Sequence, residues 1–318
     1  MANTPRRAGS HRHFGQVMRA TSSRLALSLF VTAGFVVVEA LGGILANSLA
    51  LLTDAAHNLT DVMALGLSWY AIRLTEEPSN SHNTYGYHRA GILVALVNST
   101  TLALISLGVF YEAYRRLMSP PEVKSEILVP VAVAALAVNV ITAWLVRRSD
   151  QSDLNLRALF LHLMGDVAST SGAVIAGIVI YFTRANWLDP LVSVLIGGLI
   201  VYTAWGILRE TVEILLESTP RDVDVEAMVG EIMGVQGVLG VHDLHVWSLT
   251  HRLRTMSAHI LTQDIPISAG TRIQDEVTRL LRGRYNISHA TLQLECAGCD
   301  PDGLYCDIDG VVRPRQTN

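Results

Sequence analysis

From Leu25 to Ala46 the chain is almost unbroken apolar sequence, a run of 22 residues. A secretory signal has an apolar region of only ~7–15 residues, whereas a helix needs about 20 to cross the hydrocarbon of a bilayer. The run therefore predicts a first transmembrane helix. Five more follow, at about residues 48–74, 88–114, 126–146, 155–183 and 188–208. Six spans return both ends of the chain to one side of the membrane. Composition agrees: 50% of the 318 residues are hydrophobic and 16% are charged, against roughly 25% charged in soluble chains.

The charges also divide the chain. Residues 25–208 hold 21 charged residues and the shorter stretch 209–318 holds 26. Past about residue 218 the pattern becomes short amphipathic units: helical at 223–234 and 268–284, alternating at 239–248, 253–261 and 288–295. The predicted fold is an α-helical membrane protein with six transmembrane helices, followed by a small cytosolic α+β domain of order α-β-β-α-β. The domain boundaries are an N-terminal tail 1–24, a membrane domain 25–208, a cytosolic domain 209–298 and a flexible tail 299–318. Arginines concentrate before helix one (Arg6, Arg7, Arg12, Arg19, Arg24) and around the second and fourth loops (Arg73, Arg89, Arg147, Arg148, Arg157). By the positive-inside rule both termini are cytosolic, with Arg115-Arg116 as a counter-signal.

Of the 24 basic residues 23 are arginine, and the sole lysine, Lys124, follows no glycine loop. This excludes a Walker A nucleotide site. A net charge of −4 and a pI near 6.2 give no nucleic-acid footprint. No histidine precedes a glutamate, so a zincin-type intramembrane protease lacks its general base. The chain is expected not to be an enzyme.

The informative residues are ionisable groups inside apolar helices, which are costly in lipid and face a partner or cavity. Helix two contains His57-x-x-x-Asp61 and helix five contains His162-x-x-x-Asp166. Spacing of i,i+4 stacks each imidazole over its carboxylate on one helix face. Two such helices side by side offer two nitrogens and two oxygens to one point, a set suited to tetrahedral zinc. A lone His-Asp pair commonly fastens helices together; the recurrence of the spacing favours a shared metal site. Asp54 lies on the same face as His57 and is placed behind the ligands. Glu39, Asn98 and Asn139 are expected to make interhelical hydrogen bonds.

Four separated motifs then carry a resemblance: Ser48-Leu49-Ala50-Leu51-Leu52-Thr53-Asp54-Ala55-Ala56-His57 with Asp61, Thr84-Tyr85-Gly86-Tyr87-His88-Arg89, His162 with Asp166, and Val241-His242-Asp243-Leu244-His245-Val246-Trp247. Over about residues 25–296 the chain resembles the cation diffusion facilitator family, and within it the zinc-transporting branch. The resemblance implies a homodimeric exporter that exchanges cytosolic zinc for protons, with His57, Asp61, His162 and Asp166 as transport ligands and Zn2+ as cargo. Cadmium, cobalt and manganese are alternative ions, and a non-transporting membrane metal sensor is an alternative function. The absence of histidine in the loop from Arg147 to Arg157 points to the bacterial type, and hence to the inner (plasma) membrane. The resemblance also implies a cytosolic zinc site on His242, His259 and Glu295, with Cys299 and Cys306 as additional ligands and His245 structural. Cys296-x-x-Cys299 has ligand-like spacing, and thiols or metal are expected in the cytosol rather than a disulfide. His82 and His88 are weaker metal candidates in the loop after helix two, as are His11 and His13 in the N-terminal tail.

Overall fold

The structure is a computed structural model that describes residues 33–147, 154–251 and 253–296. The chain divides into two compact units. One runs to Tyr70 and includes Val97–Leu208; the other comprises Ala71–Leu96 together with the residues from Arg209 onward.

Six helices occupy the first part of the described chain: α1 (Ala33–Ala46), α2 (Leu49–Glu76), α3 (Ala90–Met118), α4 (Ser125–Arg147), α5 (Leu154–Thr183) and α6 (Leu188–Leu215). Segments Ala90–Met118, Ser125–Arg147, Phe160–Thr183 and Leu188–Leu215 are each long and apolar enough to cross a membrane. Helix α2 is as long, but Asp54, His57, Asn58 and Asp61 in its first half lower its hydropathy. The described part of α1 is 14 residues, and the remainder of the predicted first span lies outside the described residues. Large apolar side chains cover the outer faces, as at Leu41, Leu104, Tyr111, Leu195 and Tyr202, which suits a lipid surround. Inside, Leu51, Leu102, Leu128, Ile180, Ile196 and Ile200 share one buried cluster with small residues such as Ala46, Ala132 and Ala173. Small residues let membrane helices approach closely. A Cβ at Gly177 would come within 3.0 Å of Val129 and 3.1 Å of Leu128, and one at Gly42 within 2.8 Å of Val131, so α5 and α1 both pack against α4 through glycine.

Helices α3 and α6 run farther than predicted, to Met118 and Leu215 rather than 114 and 208. Apolar length marks where a chain enters and leaves lipid, not where its backbone stops being helical. Polar turns such as Arg209–Glu213, paired at i,i+4 with 3.0 Å between charges, continue a helix without difficulty.

In the second unit α7 (Val225–Met233) precedes β1 (Gly240–Ser248) and β2 (Arg254–Leu261), and α8 (Ile267–Tyr285) precedes β3 (Ile287–Glu295). The sheet order is β1-β2-β3, with β1 antiparallel and β3 parallel to β2. The parallel pair requires a crossover, which α8 provides. Asp224 caps α7 by accepting the Ala227 N–H at 3.0 Å, and Asn286 ends α8 in the left-handed conformation at φ 54°. One face of the sheet and both helices bury Met228, Ile232, Leu244, Met256, Ile260, Val277 and Leu281 in a single core. Arg254 donates to both oxygens of Asp222 at 2.8 Å, which holds that carboxyl below its usual range.

Leu281 is fully buried in this core and Ile267 is 90% exposed. Leu281→Ala should therefore lower the unfolding free energy of the domain by about 2–5 kcal/mol, and Ile267→Ala by less than about 0.5 kcal/mol. Denaturant titration followed by Trp247 fluorescence measures both.

Candidate metal centre

The α2 segment that carries His57 and Asp61 is held by an unusual start. Helix α1 ends at Ala46, and the next residue, Asn47, turns the chain sharply with a φ of 53°. The first N–H groups of α2 then have no partners within the helix, a serious cost in an apolar interior. Ser48 Oγ accepts from the Leu51 N–H at 3.3 Å, as an N-cap does. Asp189, at the start of α6, supplies the rest: it accepts from the Ser48 hydroxyl at 2.5 Å, the Leu49 N–H at 2.7 Å and the Ala50 N–H at 3.3 Å. Arg116 donates to the Asn47 carbonyl at 2.7 Å and stands 3.9 Å from Asp189. Its place at this corner gives Arg116, one half of the Arg115-Arg116 counter-signal, a local physical reason. Sequence reading missed Asp189, because an acidic residue in the first turn of a helix is ordinary.

Two turns into α2, the i,i+4 pairs meet as the spacing predicted. His57 Nε2 lies 3.5 Å from Asp61 and 3.3 Å from Asp166; His162 Nε2 lies 2.9 Å from Asp61 and 3.8 Å from Asp166. Each imidazole thus faces both carboxylates. The rings stand nearly perpendicular, with centroids 5.6 Å apart, and one donor atom from each of the four residues falls within 4.8 Å of the others. Four ligands at about 2.0–2.1 Å from a tetrahedral ion sit about 3.3–3.4 Å from one another, so the nitrogen–oxygen spacings straddle the value zinc needs. His57 and Asp166 are buried, Asp61 is half-buried and His162 is the most open of the four.

Behind the cluster Asp54 is fully buried and accepts from Ser169 at 3.3 Å and Thr170 at 2.9 Å. Asn139 on α4 donates to the Thr170 hydroxyl at 2.9 Å, and Asn58 donates to Glu39 on α1 at 3.2 Å. The expected interhelical roles of Glu39 and Asn139 are visible in these bonds; Asn98 is half-buried. Asp54 stands outside the group of four.

In the second unit His242, His259 and Glu295 come together on the three strands, His242 opposite His259 and Glu295 two residues beyond Gln293, the partner of His259. His242 Nε2 is 3.1 Å and His259 Nδ1 2.9 Å from the two oxygens of Glu295, and one donor atom from each falls within 4.8 Å of the others. Asp243, which the sequence did not single out, bridges His259 at 3.3 Å and His245 at 3.1 Å. Cys296 is exposed; Cys299, Cys306, His11 and His13 lie outside the described residues. Among the described residues His82 and His88 join neither cluster. Their loop turns at Gly86, with φ 73°, and Arg89 ties it to Glu217 at 2.8 Å.

The fold and these clusters define a polytopic helical membrane protein with a His/Asp donor set between two of its helices and an appended α+β domain. Residues 25–216 match the cation efflux transmembrane domain and residues 220–297 the cation efflux protein cytoplasmic domain. The chain is 35% identical over 309 residues to a cadmium, cobalt and zinc/H(+)-K(+) antiporter of Bacillus velezensis, covering 96% of this chain and 97% of that one. It is 34% identical to the metal cation efflux system protein CzcD of Cupriavidus metallidurans (92% and 90% covered) and to the zinc transporter ZitB of Escherichia coli (92% and 94%). The chain belongs to the cation efflux family, whose members are membrane transporters.

Replacing Asp189 by Ala removes the acceptor for three buried donors at the α2 start. It should cost about 1–3 kcal/mol, seen as a lower midpoint of thermal unfolding in detergent, with Asp189→Asn intermediate.

Proposed function

We propose that the chain exports divalent zinc from the cytosol in exchange for protons, with both termini cytosolic and His57, Asp61, His162 and Asp166 as the transport ligands. The observation that carries this reading is the convergence of the four donor atoms at tetrahedral spacing. Two imidazoles favour zinc, with cobalt and cadmium as companions, over the oxygen-preferring manganese. The names of the relatives include all three of those metals, which supports a range wider than zinc alone.

Charge supports the coupling. With neutral imidazoles and ionised carboxylates the four groups sum to −2. One divalent cation neutralises them, and so do two protons, one on each ring. Free imidazole titrates near pH 6.5, so protons compete with metal for both histidines across the physiological range. In a cytosol-facing state deprotonated rings take the metal; in the opposite state protons from the more acidic side displace it. Alternating access is a rocking of the helices around a site of fixed composition. All four ligands come from the protein, which leaves no open position for a catalytic water and favours a carrier over an intramembrane hydrolase; measured flux separates a carrier from a non-transporting sensor.

The cytosolic cluster serves a different purpose on this reading. Its three protein ligands hold zinc as a structural or regulatory ion, and the domain pairs two copies of the chain, as its match to a family cytoplasmic domain supports. His242→Ala should change metal responsiveness or dimer stability more than ion choice.

In proteoliposomes with an imposed pH gradient, Asp61→Ala or Asp166→Ala should reduce zinc flux to the rate of protein-free vesicles. Undiminished flux in these variants would refute the ligand assignment. Wild-type flux that ignores the gradient would refute the proton coupling alone.

A further inference from the structure

We propose that Asp243 is a positioning residue of the cytosolic cluster: its carboxylate holds Nε2 of His259, so that Nδ1 of the same ring is the atom offered to a divalent metal. The inference rests on the reading of His242, His259 and Glu295 as a metal site.

Neighbouring residues of a regular strand point to opposite faces of the sheet. Asp243, directly after His242, therefore belongs on the face away from the cluster. The strand is not regular there. His242 pairs with His259, but the next paired residue of β1 is His245, opposite Ser257, so β1 advances three residues while β2 advances two. The extra residue is a bulge, and bulges re-aim side chains. Within it Asp243 takes a φ of 48°, a conformation that Asp and Asn accept more readily than most residues.

The bulge brings the Asp243 carboxylate to the cluster. Oδ2 lies 3.3 Å from His259 Nε2 and Oδ1 lies 3.1 Å from His245 Nε2. The other nitrogen of His259, Nδ1, is 2.9 Å from Glu295 Oε1, while Glu295 Oε2 is 3.1 Å from His242 Nε2. His259 thus has a carboxylate at each ring nitrogen, and only the Glu295 side coincides with His242. Asp243 is not among the residues whose donor atoms converge, so it is not a fourth ligand.

A neutral imidazole has one N–H and one lone pair. A carboxylate that accepts from Nε2–H leaves the lone pair on Nδ1, makes that nitrogen a stronger donor and fixes the plane of the ring. His245, at Oδ1, holds the carboxylate in turn. This gives His245 a definite place: it positions Asp243, which positions His259.

The test uses the full chain in detergent with Asp61→Ala and Asp166→Ala, so that the membrane cluster does not contribute. Zinc affinity is measured by competition with a chromophoric chelator, cobalt by its visible absorption, and metal-free stability by thermal unfolding. His242→Ala should abolish the remaining zinc equivalent; zinc still bound at parental affinity would overturn the reading of the cluster, and the role of Asp243 with it. Asp243→Asn keeps the backbone and the size of the side chain. It should bind one zinc about 10–100-fold more weakly, shift the cobalt bands and leave metal-free stability unchanged. Asp243→Gly, which suits the left-handed backbone, should weaken binding to the same degree. Parental affinity in either Asp243 variant, alongside loss in His242→Ala, would overturn the positioning role and spare the metal site. A metal-free melting point lowered in both variants would assign Asp243 to the fold instead.

Discussion

The contact of the two imidazoles, His57 and His162, with the carboxylates of Asp61 and Asp166 is what the membrane unit is arranged around. An isolated charged side chain at the centre of a bilayer costs about 2.5–3.5 kcal/mol on insertion scales. Here each ionisable group faces a group of the opposite kind from the other helix, 2.9–3.3 Å away. The cost falls only while α2 and α5 stay in register. Register therefore becomes the property that the surrounding structure has to secure.

It is secured at two levels. The start of α2 is fastened by Asp189 on α6 and by its own Ser48, which sets the level of His57 relative to the helix end. One turn deeper than Asp166, the Asp54 carboxylate meets Ser169 and Thr170, and Asn139 reaches the same hydroxyl from α4. These bonds belong to buried side chains, where a polar group left without a partner is costly. On the proposed reading they keep four ligands at tetrahedral spacing without taking part in binding. The same division between ligand and support recurs in the soluble domain, where Asp243 stands behind His259 as the strand bulge directs.

Much of this was legible in the sequence, for definite physical reasons. Apolar runs report spans because lipid demands length, and the two His-x-x-x-Asp pairs stood out because helix geometry makes i,i+4 a face. The strands of the α+β domain were readable from their alternation, and the family resemblance singled out His242, His259 and Glu295 on them. What escaped was set by three-dimensional accident of neighbourhood. Asp189 reads as a routine helix-start acid until α2 is seen to begin against it. Asp243 reads as a residue of the wrong face, since alternation is the rule that a bulge breaks. The helical turns beyond residue 208 were missed because charge marks the edge of lipid and says little about the backbone.

On the proposed reading one zinc ion sits between α2 and α5 on two nitrogens and two oxygens. Zinc K-edge X-ray absorption on protein carrying His242→Ala and His259→Ala, which confine the metal to the membrane cluster, tests it most directly. The expected result is about one zinc per chain, four light-atom ligands at about 2.0–2.1 Å and the multiple-scattering signature of two imidazoles. A shell containing sulfur, a six-coordinate oxygen shell, or zinc retained unchanged after Asp61→Ala and Asp166→Ala would contradict it.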